Sequence, residues 1–246
     1  MENLAHQRKS LDPRFSTRYE GRNPALEPLV PTGIRTALDV GCGHGGMAEQ
    51  LSKRNISVDG ISWNAEELSS AQEVCRRVIC CDLNLGAAEL TTESYDLIIC
   101  SHVLEHIAYP QNLLRDLYRA LRPTGHLLVA IPNVLFWPDR LKLLLGKWQY
   151  KESGTFDYTH LRWYTIESMV DLLTEYGFSM EKVYADGWAP LPGLRFIVGD
   201  RWRASINKAF CRWRPSLFGQ QLIFRCVKRI SKTSHIDIVQ TMESKT

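Results

Sequence analysis

Short apolar runs alternate with helical stripes through the first two thirds of the chain. Ala37, Leu38 and Val40 form one run with Asp39 set into it; Ser57–Ser62 forms a second and residues 77–81 a third. Residues 95–100 (YDLIIC) and 125–131 (GHLLVAI) are nearly unbroken, the pattern of strands covered on both faces. Between the runs the period changes. Met47 and Leu51 lie in one helical pattern, and Asn64 with Glu67 resembles a capping box opening a helix through Leu68 and Val74. Leu113, Leu114, Leu117 and Leu121 stripe a helix that begins at Pro110, where the missing N–H costs nothing. Residues 136–147 predict a helix ended by Gly146. Thr165 caps another with Met169, Leu172, Leu173 and Tyr176, ended by Gly177. Residues 180–184 read as a sixth strand and 221–227 as a last, antiparallel strand at the sheet edge. Strand and helix in alternation predict an α/β domain with a mostly parallel sheet.

The first run leads directly into Gly41, Gly43, Gly45 and Gly46. A strand, a glycine turn and a helix make a cradle at the carboxyl end of the sheet, where open α/β folds bind ligands. Gly41, Gly43 and Gly46 satisfy G-x-G-x-x-G, a weak signal alone. Asp39 discriminates between cofactors. Two positions before the first glycine a nicotinamide-binding strand is normally apolar, and a carboxylate there needs a partner to offset its desolvation. A cationic cofactor provides one.

Asp39, Gly41 and Gly43 stand as D-x-G-x-G, which resembles motif I of the class I S-adenosylmethionine-dependent methyltransferases. S101-H-V-L-E-H106 after the fourth run, and L-R-P-x-G-x-L-x-V across residues 121–129, are similar to the ubiquinone-biosynthesis O-methyltransferase subgroup. The resemblance covers about residues 36–133. It implies a Rossmann-like, doubly wound α/β fold: a seven-stranded, mostly parallel sheet with an antiparallel edge strand and a helical cap. Three parts are expected. Residues 1–33 form an arm or lid, 34–187 the S-adenosylmethionine-binding core with a cap insertion at about 134–164, and 188–246 a basic, aromatic carboxyl region with the last strand and a loose tail.

The resemblance also assigns the site. Asp39, Gly41, Cys42 and Gly43 line the cofactor's amino-acid end; Asp82 and Leu83, after the third strand, face the adenine; Ser101 closes the mouth. Ser62 departs from the pattern, standing where an acid normally grips the ribose hydroxyls. Asp59 and Glu66 do not obviously replace that acid, and Trp63 is assigned to the adenine edge instead. For catalysis the candidates are His160 and His106, with His102 third, and Arg162 as a clamp for an anionic acceptor group. His160 and Arg162 match the H-x-R-x-[FY]-[ST] pattern before a helix in this group. No metal is expected: His102-x-x-Glu105-His106 fits a zinc-peptidase pattern, but that pattern needs a long helix, and here a strand precedes and Pro110 follows.

Composition adds location and partners. The seven cysteines lack framework spacing and read as reduced thiols. The amino terminus has no apolar leader pattern, and no apolar stretch reaches membrane-span length, so a cytoplasmic protein is expected, with attachment at the inner membrane surface as the variant. Net charge is +3, yet residues 195–229 hold nine Lys or Arg against Asp200 alone, which leaves the rest of the chain acidic. With Trp202, Phe210 and Trp213 among them, that region either meets an anionic surface or substrate or packs on its own domain with solvated charges; the second is favoured. A basic-aromatic cluster (Arg14, Phe15, Arg18, Tyr19, Glu20, Arg22) precedes the first strand. The expected partner is a small-molecule or glycan acceptor. Nucleic acid is disfavoured, because Ser101-His102-Val103-Leu104 replaces the N-P-P-[YF] amine-methylation motif. The rival readings are a non-catalytic cofactor-binding scaffold, small-molecule N-methylation, and a nicotinamide oxidoreductase opposed by Asp39.

Overall fold

The computed structural model describes residues 21–190 and 199–229. Seven strands form one sheet: β1 (Thr36–Val40), β2 (Ser57–Ser62), β3 (Arg77–Cys80), β4 (Tyr95–Ser101), β5 (Leu121–Pro132), β6 (Phe178–Gly187) and β7 (Gly219–Lys228), in the order β3-β2-β1-β4-β5-β7-β6. The first five run parallel, and β7 is antiparallel to both β5 and β6. The expected last strand thus forms, but it slides between two neighbours and leaves β6 outermost. Helices are α1 (Gly46–Ser52), α2 (Ala65–Ala71), α3 (Pro110–Ala120), α4 (Trp137–Leu144), α5 (Ile166–Glu175), α6 (Asp200–Trp213) and α7 (Pro215–Phe218).

Alternation along the strands builds two cores. Leu38 and Val40 of β1 and Ile98 and Cys100 of β4 face one side, under Leu113, Leu114 and Leu117 of α3 and Met169 and Leu173 of α5. Ala37, Leu97 and Ile99 face the other, under Met47, Ala48 and Leu51 of α1 and Leu68 of α2, together with Leu26 and Val30 of the amino-terminal arm. Helices on both faces fix the ligand mouth at the carboxyl ends of β1 and β4, where the chain changes direction.

Two helix boundaries differ from the periodicity reading. α2 stops at Ala71, short of Val74. The helix striped by Leu113 to Leu121 ends at Ala120, and β5 starts at Leu121, ahead of the run at 125–131, beside a register shift opposite Tyr95 and Leu97. Thr165 and Ser168 form a reciprocal capping box at α5. α6 packs Phe210 and Cys211 against Ala189, Phe218 and β6, while Trp202 (70%) and Trp213 (66%) stay exposed. None of the seven cysteines is paired, and no helix among the described residues is long and apolar enough to cross a membrane. Most of the cluster ahead of β1 (Arg14 to Glu20), together with Phe196, Ile197 and the tail from Ser231, lies outside the described residues.

At the opposite end of the sheet, Asp96 Oδ2 accepts hydrogen bonds from Arg35 N and Thr36 N, and Oδ1 pairs with Arg122. Burial works against its charge, but these donors overcome it and hold the carboxyl down at about 2. Its stabilisation is complete above the ordinary carboxylate value and is lost as pH falls from about 4 to about 2. Asp96→Ala is expected to cost about 2 kcal/mol at pH 7 and almost nothing at pH 2, read by urea unfolding at both pH values.

Candidate active site

The glycine turn is fastened to β2. Gly41 N and Cys42 N both donate to the Ile61 carbonyl, at 2.8 and 3.0 Å, so the end of β2 lies alongside the turn. Gly41 has φ +74°, and a Cβ there would meet Val103 Cγ2 at 2.5 Å, so both backbone and space demand glycine. Cys42 is fully buried beneath the turn. Asp39 is 3% exposed, and its Oδ2 has no hydrogen-bond partner among the described residues. Burial pushes its carboxyl up to about 8. A buried carboxylate oxygen lacking a donor, beside a turn shaped by glycine, is complementary to a cation.

The other expected cofactor residues lie at or just beyond the carboxyl ends of β2, β3 and β4. Ser62 ends β2, and its hydroxyl donates to Glu67 Oε2 at 3.2 Å. Trp63 is half-buried after it. Asp82 Oδ1 accepts from Asn84 N and Nδ2, while Leu83 is buried. Ser101 Oγ accepts from Asn23 Nδ2 at 3.1 Å, and Asn23 also donates to Gln221 Oε1. The described part of the arm therefore crosses the mouth. At Gly21 a Cβ would stand 2.2 Å from the Cys42 carbonyl oxygen, so the arm lies directly on the turn.

Three histidines gather past β4, and their partners fix their protons. His102, at φ +54°, places Nδ1 3.2 Å from Glu105 Oε1 and Nε2 3.1 Å from Gln221 Oε1. Gln221 Nε2 donates to Asp186, so its Oε1 must accept, and both His102 nitrogens carry hydrogens. Burial opposes that charge, but Glu105 outweighs it and raises the imidazole's pKa. His102 is a poor base in this state.

His106 and His160 are the opposite case. Thr159 Oγ1 donates to Asp157 and accepts from His106 Nδ1 at 2.9 Å. The Thr155 carbonyl accepts from His160 Nδ1 at 3.1 Å. Each ring is thereby left with a basic Nε2. The rings meet edge to face, 4.7 Å between centroids. Burial, reinforced by His160, lowers the pKa of His106. Glu105 is 1% exposed, its Oε2 lacks a hydrogen-bond partner among the described residues, and ligand atoms of Glu105, His106 and His160 lie within 4.8 Å of one another. Such a trio of lone-pair donors is suited to sharing a proton, and it could also hold a divalent ion. Sequence reasoning did not anticipate it, because Glu105 and His160 meet through the cap loop: Leu161 N and Arg162 N donate to the Glu105 carbonyl. Arg162 spends Nε and Nη2 on the Ala108 carbonyl at 3.0 and 2.6 Å, which makes it a fastener of the same loop.

A family model described as "Methyltransferase domain" matches residues 6–183, well over half of the chain. The chain belongs to the methyltransferase-domain family. This methyltransferase-domain protein is 31% identical over 116 residues to the ubiquinone biosynthesis O-methyltransferase of Pseudomonas putida W619, covering 44% of this chain and 49% of the relative. It is 29% identical over 144 residues to that of P. putida F1, covering 54% and 60%. The chain thus spans about half the length of the curated relatives it matches. Among solved structures, a SAM-dependent methyltransferase from Archaeoglobus fulgidus superposes with a TM-score of 0.60 at 20% identity, over 83% of this chain and 91% of that one. A possible histamine N-methyltransferase from Thermotoga maritima gives 0.59 at 19% identity, over 92% and 96%. These likenesses show the Rossmann-like fold of S-adenosylmethionine-dependent methyltransferases. S-adenosyl-L-methionine is the cofactor that family and fold imply, and the buried Asp39 Oδ2, without a hydrogen-bond partner among the described residues, fits its cationic amino-acid end.

Proposed function

We propose that this chain catalyses S-adenosylmethionine-dependent O-methylation of a hydroxyl group on a small metabolite, sugar or lipid-linked glycan. The single observation that carries the reading is the pairing of two complementary sites at one sheet mouth. Asp39 offers a buried carboxyl oxygen with no hydrogen-bond partner among the described residues, and Glu105, His106 and His160 offer lone pairs at the end of β4. When bound, the cofactor supplies an activated methyl on sulfur. The chain's residues hold the acceptor oxygen in line and exclude water. His160 or His106 takes the hydroxyl proton on Nε2. His102 and Glu105 hold the loop that presents them, and the arm, tied by Asn23 to Ser101 and Gln221, covers the mouth. The exposed Leu141, Leu144 and Leu145, followed along the chain by exposed Trp148 and Tyr150, favour an apolar or lipid-linked acceptor.

The test is an untargeted metabolite comparison between strains with and without the gene, seeking a product heavier by one methylene. Failure of S-adenosylhomocysteine to give heat at millimolar concentration in calorimetry would overturn the reading in favour of a protein that keeps the fold without the cofactor. Dialysis against a chelator separates two ways of removing the proton. Retained turnover leaves it with the imidazoles, whereas loss restored by zinc or magnesium assigns it to an ion on Glu105, His106 and His160. Contact of the basic region with an anionic surface is tested by sedimentation with phosphatidylglycerol vesicles. Trp202→Ala is expected to reduce any binding there, since that ring is exposed.

A further inference from the structure

Ser62 leaves the end of β2 without the carboxylate that open α/β nucleoside sites place there for ribose hydroxyls. Asp59 cannot substitute. Both its oxygens are engaged by Arg76, at 2.8 and 2.7 Å, and by the Tyr95 hydroxyl at 2.8 Å. Glu67 is different. It sits in α2, five residues beyond Ser62, is 8% exposed, and turns its Oε2 back to the Ser62 hydroxyl at 3.2 Å. Among the described residues no Lys, Arg or His pairs with it. Ile61, the residue before Ser62, accepts both amides of the glycine turn, so Glu67 is delivered to the side of that turn. Burial first, and then Asp39, Cys75 and Glu67 in turn, raise the pKa of the Cys42 thiol within the turn. A carboxylate that is buried, has no cationic partner among the described residues and stands beside a nucleoside cradle retains acceptor capacity for hydroxyl donors.

We propose that Glu67, working through and alongside Ser62, is the ribose-binding acid of this protein, moved from the strand end to the first turns of the following helix. The inference rests on the reading that the mouth binds S-adenosylmethionine. Glu67 accepts from a ribose hydroxyl, and Ser62 is oriented by it. The ribose acid then comes from five residues beyond Ser62 and reaches back to it.

Isothermal titration of the full chain with S-adenosylhomocysteine and with its 2′-deoxyribose analogue tests this without any acceptor. The wild type is expected to bind the ribose form on the order of 10- to 100-fold more tightly than the deoxy form, the range of a charge-assisted hydrogen bond. Glu67→Gln is expected to lose most of that discrimination with little change in its own melting temperature. Ser62→Asp in the Glu67→Ala background is expected to restore it. Equal binding of the two analogues by the wild type would overturn the inference, and that measurement needs no variant to fold. Undiminished discrimination in Glu67→Gln would overturn it as well and leave Glu67 as a partner of Ser62 alone. If the wild type binds neither analogue, the failure belongs to the cofactor reading itself, and this inference falls with it.

Discussion

Asparagine at position 39 is expected to weaken S-adenosylmethionine binding on the order of a hundredfold at pH 8 while stabilising the unliganded protein at the same pH. Both effects come from one buried oxygen. Asp39 Oδ2 has no donor among the described residues, and burial raises the carboxyl from 3.8 to about 8. Folding without ligand therefore favours the protonated acid. The sign follows: the group's contribution is intact below about pH 4 and is lost as pH rises from there through about 8. Asp39→Asn should melt higher than the wild type at pH 8 and at the same temperature at pH 4. A cationic ligand reverses the preference, because only the ionised acid attracts it. Wild-type affinity should strengthen as pH rises toward 8 and level off beyond, whereas the variant's affinity should be flat. Calorimetric titrations at half-unit steps measure this, and a wild-type affinity independent of pH would show that Asp39 does not face the ligand's charge.

The second large effect is kinetic. His160→Ala is expected to lower kcat on the order of 10²- to 10⁴-fold while leaving the dissociation constant of S-adenosylhomocysteine within about twofold of the wild type. His106→Ala should resemble it, and the double variant should lose far less than the product of the two, since the rings act as one unit. The pH profile discriminates further. Burial, and then His160, lowers the pKa of His106 below the ordinary histidine value. The rate should therefore be level at neutral pH and fall only in acid. His102 is raised by Glu105 against the opposing effect of burial. A limb lying above the ordinary value, and abolished by His102→Gln, would move the base to His102 and remove His160 from that role.

Much of the sheet was legible because its strands are buried on both faces and read as unbroken apolar runs. Ser57–Ser62 ends where its hydrophobic pattern ends, and Pro110 and Thr165 mark helix starts by local chemistry alone. The place of β7 was not legible. Its pattern says strand and antiparallel, but whether it lies at an edge or between neighbours depends on pairing with β6 across forty residues of chain, which no local period encodes. The site divides in the same way. Asp39 and the glycines are contiguous and declare themselves. Glu67 has the form of a helix-opening residue, a reaching Glu three positions after Asn64. That its carboxylate turns to Ser62 follows from the close packing of α2 on the turn. Arg162 looked like an anion clamp, and the nearest acceptor its fork finds is the Ala108 carbonyl. His160 entered through a motif, but its meeting with Glu105 is made by two backbone amides of the cap loop, invisible to spacing.

Placing β7 between β5 and β6 has a consequence for synthesis on the ribosome. Until residue 228 has left the exit tunnel, β6 has no strand to pair with and the open side of β5 stays bare, so five parallel strands must wait, aggregation-prone, for the last segment to thread between two already made. Gln221, the acceptor for both Asn23 and His102, arrives on that same late strand. A nascent chain cut short before residue 219 would thus lack more than a strand: the tether between Asn23 and Gln221 would never be tied, and such fragments should be cleared by proteases rather than accumulate.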